Sequence, residues 1–398
     1  MIFDEKDIIY PPVHPGTDRT FIRFYKGEPD LNAIFFPELE DESHKNDSRP
    51  QRVFVTDTNV ASLEFAKPFI NLFRGENFSH LKIEPNETGN HGKDVLLILG
   101  SGEPYKTIES VLEIVKAALD NNGQRTTVFV GIGGGVITDM TAFAASIFKR
   151  GAHCELVPTT LLSMVDAAIG GKTGCDFESY KNMIGSFFPA QKIHIIPSFI
   201  QTLPQNEYKS GMAEVVKTAL LYSPELFEKF EKSPEILTER KNPLVEEAIR
   251  ICVNAKAKVV EEDLTEKNIR MQLNLGHTFG HALESMAGLG VVTHGDGVAW
   301  GIGRAAELSR NLGLASNNFA ERVKNCLASF GWETKAVHPA MKEKYPGKPD
   351  SEIAEILFNA MKKDKKNSSS QVRFVLQEDV GKTVITEVPK EKVIEVLK

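Results

Sequence analysis

Three histidines fall within eighteen residues of this chain: His277, His281 and His294. His277 and His281 are four apart, which on a helix puts both imidazoles on one face. His-x-x-x-His is a recurrent way of converging two nitrogens on one metal ion. No Glu stands between them in an H-E-x-x-H arrangement, so the pattern does not describe a metalloprotease. Glu214, on a predicted helix Glu207–Leu221, offers a carboxylate to the same kind of site. Lys217 follows Glu214 by three residues on the same face, and Arg270 precedes the histidines. A phosphate or carboxylate near a metal would explain both cations.

A second chemical signal lies upstream. The run VFVGIGGGVITD ends at Asp139 and reads as strand, glycine turn and helix. Glycines such as Gly134 and Gly135 let backbone N–H groups approach a phosphate at a helix N-terminus. The spacing is not G-x-G-x-x-G, and a tight packed turn is the plainer alternative. Asp57-Thr58-Asn59 and Gly102-Glu103-Pro104-Tyr105-Lys106 also follow predicted strands, where a carboxylate, an amide and an ammonium can take ribose hydroxyls and phosphate. Asp166, the run Gly170-Gly171-Lys172-Thr173-Gly174 and Lys181-Asn182 place two lysines and an amide in a glycine-rich loop context. The upstream glycine of a P-loop is missing, so an NTPase is set aside.

These residues need a scaffold, and the periodicity supplies one. Arg52–Thr56, Val95–Leu99, Thr126–Val130, Glu155–Val157 and Ile193–Ile196 are short apolar runs, as in strands buried on both faces. Helical spacing fills Thr107–Asn121 between them, which is the pattern of a parallel α/β domain. After about Pro204 helices dominate: Glu207–Leu221, Pro224–Phe230, Pro243–Val260, Gln272–Met286, Val298–Leu312, Phe319–Phe330 and Ser351–Met361. A hairpin, Val372–Leu376 with Thr383–Thr386, and a helix near Lys390 close the chain. The expected division is an α/β domain over 1–200 and an α-helical domain over 201–398. Glu38–Pro50 and Glu84–Lys93 read as surface insertions or mobile loops.

Composition excludes several classes. The 398 residues are 41% hydrophobic and 25% charged with a net charge of −7, an ordinary globular balance that argues against non-specific nucleic-acid binding. The four cysteines form no C-x-x-C pair, which points to free thiols in a reducing cytoplasm. The acidic, proline-broken N-terminus reads as no signal peptide, and no apolar stretch is long enough to span a membrane.

The segments VTDTNV, GEPYKT, GGGVITD, VPTTLLSMVDAAIGGKTG, KNMIGSFFPAQ, TLPQNEYKSGMAEVVK, LNLGHTFGHALE, HGDGVAWG and KKDKKN occur in this order from Val53 to about Asn367. Together they resemble the 3-dehydroquinate synthase family of sugar-phosphate cyclases. The resemblance implies a Rossmann-like NAD-binding domain followed by a helical metal-binding one. It assigns zinc, or cobalt, to Glu214, His277 and His294, and moves His281 from ligand to catalytic, phosphate-side residue. It places NAD at Asp57, Asn59, Glu103, Lys106, Gly134, Gly135, Val136, Asp139, Thr159, Thr160, Lys181, Phe199 and Thr202. Substrate-facing positions are Asp166, Lys172, Asn182, Lys217, Lys256, Arg270, Asn274 and Lys365. Arg150 matches an arginine that reaches the neighbouring subunit's substrate, which implies a homodimer. Thr138 and Ala142 replace usual glycines, and Asp296-Gly297 replaces Glu-Ala. Thr138, just before Asp139, resembles secondary-metabolic cyclases acting on sedoheptulose 7-phosphate or amino analogues. Lys172, Asn182 and Arg270 instead suit a substrate carboxylate, and so 3-deoxy-D-arabino-heptulosonate 7-phosphate. A metal-dependent polyol dehydrogenase and a non-catalytic sugar-phosphate sensor are the readings from other classes.

Overall fold

A computed structural model describes residues 2–9, 18–28, 30–37, 49–74, 84–178, 180–288, 290–364 and 372–398. The strands of the first half, in chain order, are β1 (Ile2–Ile9), β2 (Arg19–Tyr25), β3 (Arg52–Asp57), β4 (Glu87–His91) and β5 (Asp94–Leu99). They continue as β6 (Val128–Gly133), β7 (His153–Pro158), β8 (Lys172–Phe177), β9 (Tyr180–Phe187) and β10 (Lys192–Ile195). Eight of them make one sheet in the order β1-β2-β10-β7-β6-β3-β5-β4, and β8 with β9 forms a separate hairpin. The six central strands are all parallel, and only β1 and β4 run antiparallel at the edges. The apolar runs explain the parallel core: every residue of β5 is buried, as is every residue of β3 except Arg52.

The register carries the chemistry to one edge. Val53 pairs with Val95 and with Phe129, and Gly131 with Leu156, so Asp57, Leu99, Gly133 and Pro158 end together. From β3 the chain passes to β5 on one side and then to β6 on the other. The loops leaving β3 and β6 therefore part at a topological switch point, where ligands of such sheets bind. At the opposite end of β5, fully buried Asp94 is held by Arg52 at 2.7 Å and Arg49 at 2.8 Å.

The chain divides into two compact units, Met1–Leu203 with Lys256–Thr265, and Pro204–Ala255 with Glu266–Lys398. Lys256–Thr265, placed with the helical half from sequence, thus groups with the sheet. In the second unit the helix His294–Asn311 is buried along almost its whole length and packs on Gln205–Tyr222, His277–Ala287 and Asn317–Ser329. Prolines open Pro224–Lys232 and Pro339–Lys344 as expected of a first helical turn. A hairpin, β11 (Val372–Asp379) with β12 (Lys382–Val388), precedes the last helix Lys390–Glu395.

Four local expectations change. The single helix expected over Gln272–Met286 is a 3-10 turn, Ile269–Asn274, and a helix His277–Ala287, separated by Gly276 at φ 79°. His294, expected in a loop, is the first residue of its helix, with Thr293 as N-cap accepting the N–H of Asp296 at 3.1 Å. The glycine-rich stretch near Lys172 is a hairpin. Glu84–Lys93 holds β4, paired to β5. Of Glu38–Pro50, residues 38–48 lie outside the described residues.

Candidate active site

Glycine contacts between helices assemble the candidate metal-ligating residues. A Cβ on Gly280 would lie 2.8 Å from the carbonyl of Gly297, and one on Gly301 would lie 2.0 Å from that of Gly276. A Cβ on Gly295 would lie 2.3 Å from Cα of Ser210, whose hydroxyl accepts the Gly295 N–H at 3.0 Å. Three helices thereby approach backbone to backbone, and ligand atoms of Glu214, His277 and His294 come within 4.8 Å of one another. Nε2 of His277 is 3.6 Å and Nε2 of His294 3.4 Å from Oε1 of Glu214.

The other ring nitrogens decide the tautomers. Nδ1–H of His277 donates to the Leu275 carbonyl at 3.2 Å, and Nδ1–H of His294 to Glu284 at 3.1 Å. The Nε2 of each ring therefore faces the Glu214 carboxylate. Burial, and then the Lys217 ammonium, hold His277 well below the usual imidazole range, so it stays neutral. Burial also lowers His294, but Glu214 and Glu284 on its two sides more than reverse this and raise it to about 10. That field favours a divalent cation in place of the proton. One carboxylate and two imidazoles with fixed outer partners fit a catalytic zinc or cobalt centre, which keeps a position open. Lys217 pairs with the second oxygen of Glu214, both side chains being buried. His281 does not join this triad; it groups instead with Glu284 and His294. Glu284 was missed from the sequence, although it lies three residues after His281 and seven after His277 on the same helix face.

In the first unit the glycine turn caps the helix Gly135–Ile147 with Gly134, which brings no side chain to the free N–H groups. A Cβ on Gly134 would sit 3.0 Å from Thr160, and the N–H of Thr159 donates to Gly133 at 2.9 Å. Val136 completes the first turn. Thr138, buried, donates to the Gly135 carbonyl at 3.1 Å, and Ala142 is also buried, so both departures from the family pattern face the interior. Asp57 uses Oδ1 to cap the short helix Thr58–Ala61, accepting the N–H groups of Asn59 and Val60, each at 2.9 Å. Burial raises its pKa. Asn59 donates to Ser101 at 2.6 Å.

Lys106 links two groups that sequence reading kept apart. Its ammonium lies 2.6 Å from Asp139 and 2.6 Å from the amide oxygen of Asn182. Burial opposes that charge, but Asp139 raises the pKa above the usual lysine value. Glu103 pairs with Lys181 at 3.5 Å, and Asn182 is held at φ 51° with its N–H on Asp176. Asp166 lies in a π-helical turn, Ser163–Ala167, and pairs with Lys256. Phe199 is buried against Phe65 with ring centroids 4.6 Å apart, and Thr202 donates to its carbonyl.

Lys172 is exposed at the start of β8, Arg270 is buried in the second unit, and Asn274 donates to Glu266 at 2.6 Å. Arg150 is exposed, at φ 68°, just past the far end of the helix Gly135–Ile147. Lys365 lies outside the described residues.

Comparison with known proteins gives the family. Residues 96–210 match a family model described as 3-dehydroquinate synthase N-terminal, and residues 211–367 one described as 3-dehydroquinate synthase C-terminal. The 3-dehydroquinate synthase of Nitrosospira multiformis is 40% identical over 344 residues, 86% of this chain and 86% of that protein. Among solved structures, 2-epi-5-epi-valiolone synthase from Streptomyces hygroscopicus, with NAD+ and Zn2+ bound, superposes with a TM-score of 0.75 at 25% identity, covering 94% of this chain and 95% of that one. A 2-deoxy-scyllo-inosose synthase complexed with carbaglucose-6-phosphate, NAD+ and Co2+ gives 0.75 at 25% identity over 99% of both chains. Matched from residue 96 to residue 367, and along most of the length of a relative 40% identical to it, the chain belongs to the 3-dehydroquinate synthase family.

Proposed function

We propose that this chain is a phosphate-eliminating cyclase that converts 3-deoxy-D-arabino-heptulosonate 7-phosphate to 3-dehydroquinate and phosphate, a step of the shikimate pathway. The observation that carries this reading is the triad Glu214, His277 and His294, with Nε2 of both imidazoles turned toward the Glu214 carboxylate. The triad would hold Zn2+ or Co2+. The glycine turn, Asp57, Asn59, Glu103, Lys106, Asp139, Thr159, Thr160, Lys181, Phe199 and Thr202 would hold NAD, which makes 1–200 the NAD-binding domain and 201–398, apart from Lys256–Thr265, the metal-binding one.

When bound, NAD supplies a reversible hydride acceptor and the cation a Lewis acid. The protein's own residues do the rest. Lys172, Asn182 and Arg270 are assigned to the substrate carboxylate, and Arg270 is charged at any working pH. His281 is assigned to the phosphate side, where cations and donors offset charge as the phosphate leaves, and Lys256, Asn274 and Lys365 to the substrate. Lys217, fixed by Glu214, and Asp166, fixed by Lys256, face the substrate. A second reading, cyclisation of sedoheptulose 7-phosphate, rests on Thr138 and Ala142. Both side chains are buried, which weakens it.

The deciding experiment is a phosphate-release assay on the two sugar phosphates. Release from the heptulosonate with no net NADH supports the proposal. Turnover of sedoheptulose 7-phosphate alone supports the second reading, and net NADH from a simple polyol would make the chain a dehydrogenase.

Arg150 supports a homodimer as the active form. The 13-residue helix carries it roughly 20 Å from the glycine turn, too far to serve its own chain's nucleotide end. Mixing Arg150→Ala with Lys172→Ala chains should regenerate activity, because one hybrid site carries neither change. A cytoplasmic setting suits the four buried cysteines, which form no disulfide, and no described helix is long and apolar enough to cross a membrane.

A further inference from the structure

Glu284 sits on the helix His277–Ala287 but takes no part in the triad. Its Oε1 is 3.1 Å from Nδ1 of His294, the nitrogen opposite the one that faces Glu214. Gly297, just inside the next helix, closes the other side: a Cβ there would lie 3.1 Å from Oε1 and 3.2 Å from Cγ of Glu284. The carboxylate is thus confined over His294 by its own helix and by a residue that has no side chain.

We infer that Glu284 is a positioning residue for the metal centre: it accepts the Nδ1–H of His294, fixes the tautomer whose Nε2 carries the lone pair, and lends that ring negative charge. The inference rests on the reading of Glu214, His277 and His294 as metal ligands. A neutral imidazole has two tautomers and turns about its Cβ–Cγ bond, and only one arrangement aims a lone pair at the cation. A carboxylate behind the ring selects that arrangement and raises its basicity. His281 and Glu284 also form a cation-sized group with His294, so the test must separate a supporting carboxylate from a ligand.

The full chain, stripped by a chelator, is titrated with Co2+ alone. Affinity is read by competition with a chromophoric chelator, geometry by the visible Co2+ spectrum, and folding by thermal unfolding of the metal-free protein. The unmodified chain should bind one ion. Glu284→Ala should weaken binding by about 10–100-fold and shift the Co2+ bands, with metal-free unfolding little changed. Glu284→Gln keeps an acceptor without the charge and should lose less and hold the original band shape. Unchanged affinity and spectrum in Glu284→Ala, with the unmodified chain binding one ion, would overturn the inference and leave the triad intact. Two ions per chain, one of them lost in Glu284→Ala, would overturn it by making Glu284 a ligand. No Co2+ binding by the unmodified chain would remove the triad and this inference with it.

Discussion

Replacing Gly301 with alanine tests whether helix spacing sets the metal triad. The added Cβ would sit 2.0 Å from the carbonyl oxygen of Gly276 and 3.0 Å from the N of Gly280. Ordinary contact begins at 3.4 Å, so the two backbones must part by about 1.4 Å. Both obstructing atoms are main chain, and no rotamer relieves the clash. His277 is bonded directly to Gly276, and His294 begins the helix that carries Gly301, so the displacement reaches both proposed ligands. Overpacking of this kind costs about 1–3 kcal/mol. For a unit of this size that lowers the Tm by roughly 2–4 °C per kcal/mol. Metal sites tolerate ligand displacements of only about 0.2 Å. Affinity should therefore fall further than stability implies, by at least about 100-fold, the upper range for loss of a supporting partner. The assay is thermal unfolding of the metal-free protein beside a Co2+ competition titration. Gly303→Ala is the control, since its Cβ would meet only Leu327 at 3.6 Å, and it should be nearly silent in both. Unmodified affinity and Tm in Gly301→Ala, or equal damage in Gly303→Ala, would refute the reasoning.

Three further outcomes follow from particular contacts. Burial pushes Glu155 up, but the hydrogen bond from His194 and the Lys192 ammonium bring it down to about 2. Its folded pKa lies below the unfolded value, so its stabilisation is present above about pH 4.5 and is lost as pH falls toward 2, on the order of 3 kcal/mol in all. Denaturant unfolding should show Glu155→Gln less stable than the unmodified chain at pH 6, with the gap narrowed at pH 3; a gap independent of pH would contradict this. Asp57→Asn keeps the oxygen that caps Thr58–Ala61, and should weaken NAD+ binding, read by calorimetry, with little change in Tm. Asp57→Ala should lose a further ~1 kcal/mol of stability, and equal stability in the two variants would dismiss the cap. Arg270→Leu should cut phosphate release from the heptulosonate phosphate by orders of magnitude, since breaking a buried charged pair typically costs about 3–5 kcal/mol. It should harm sedoheptulose 7-phosphate much less, and equal loss on both sugars would take Arg270 off the carboxylate.

Burial patterns were legible in the sequence because they are properties of one segment at a time. Runs such as Val95–Leu99 must be covered on both faces, and that alone predicted the parallel core and the loops that carry Asp57, Glu103 and Gly134. Proline starts and helical periodicity placed most helices within a few residues. The β8–β9 hairpin escaped because glycines face each other across it: a Cβ on Gly185 would lie 2.0 Å from the Thr173 carbonyl, so close pairing there leaves no apolar alternation to read. The strand β4, in the sequence ETGNH, escaped for want of apolar residues.

The metal site divides along the same line. Spacing alone pointed to His277 with His281, because four residues make one helix face; the family motifs named Glu214, His277 and His294 instead. The structure groups His281 with Glu284 and His294 and leaves the candidate triad to three separate helices. Residue types and their order determined that imidazoles and a carboxylate were present on helical segments. Which of them meet was decided by distances between helices, set where Gly280, Gly295 and Gly301 let main chains touch. The absence of a side chain is a signal only when the partner surface is known, and that surface exists only in the folded chain.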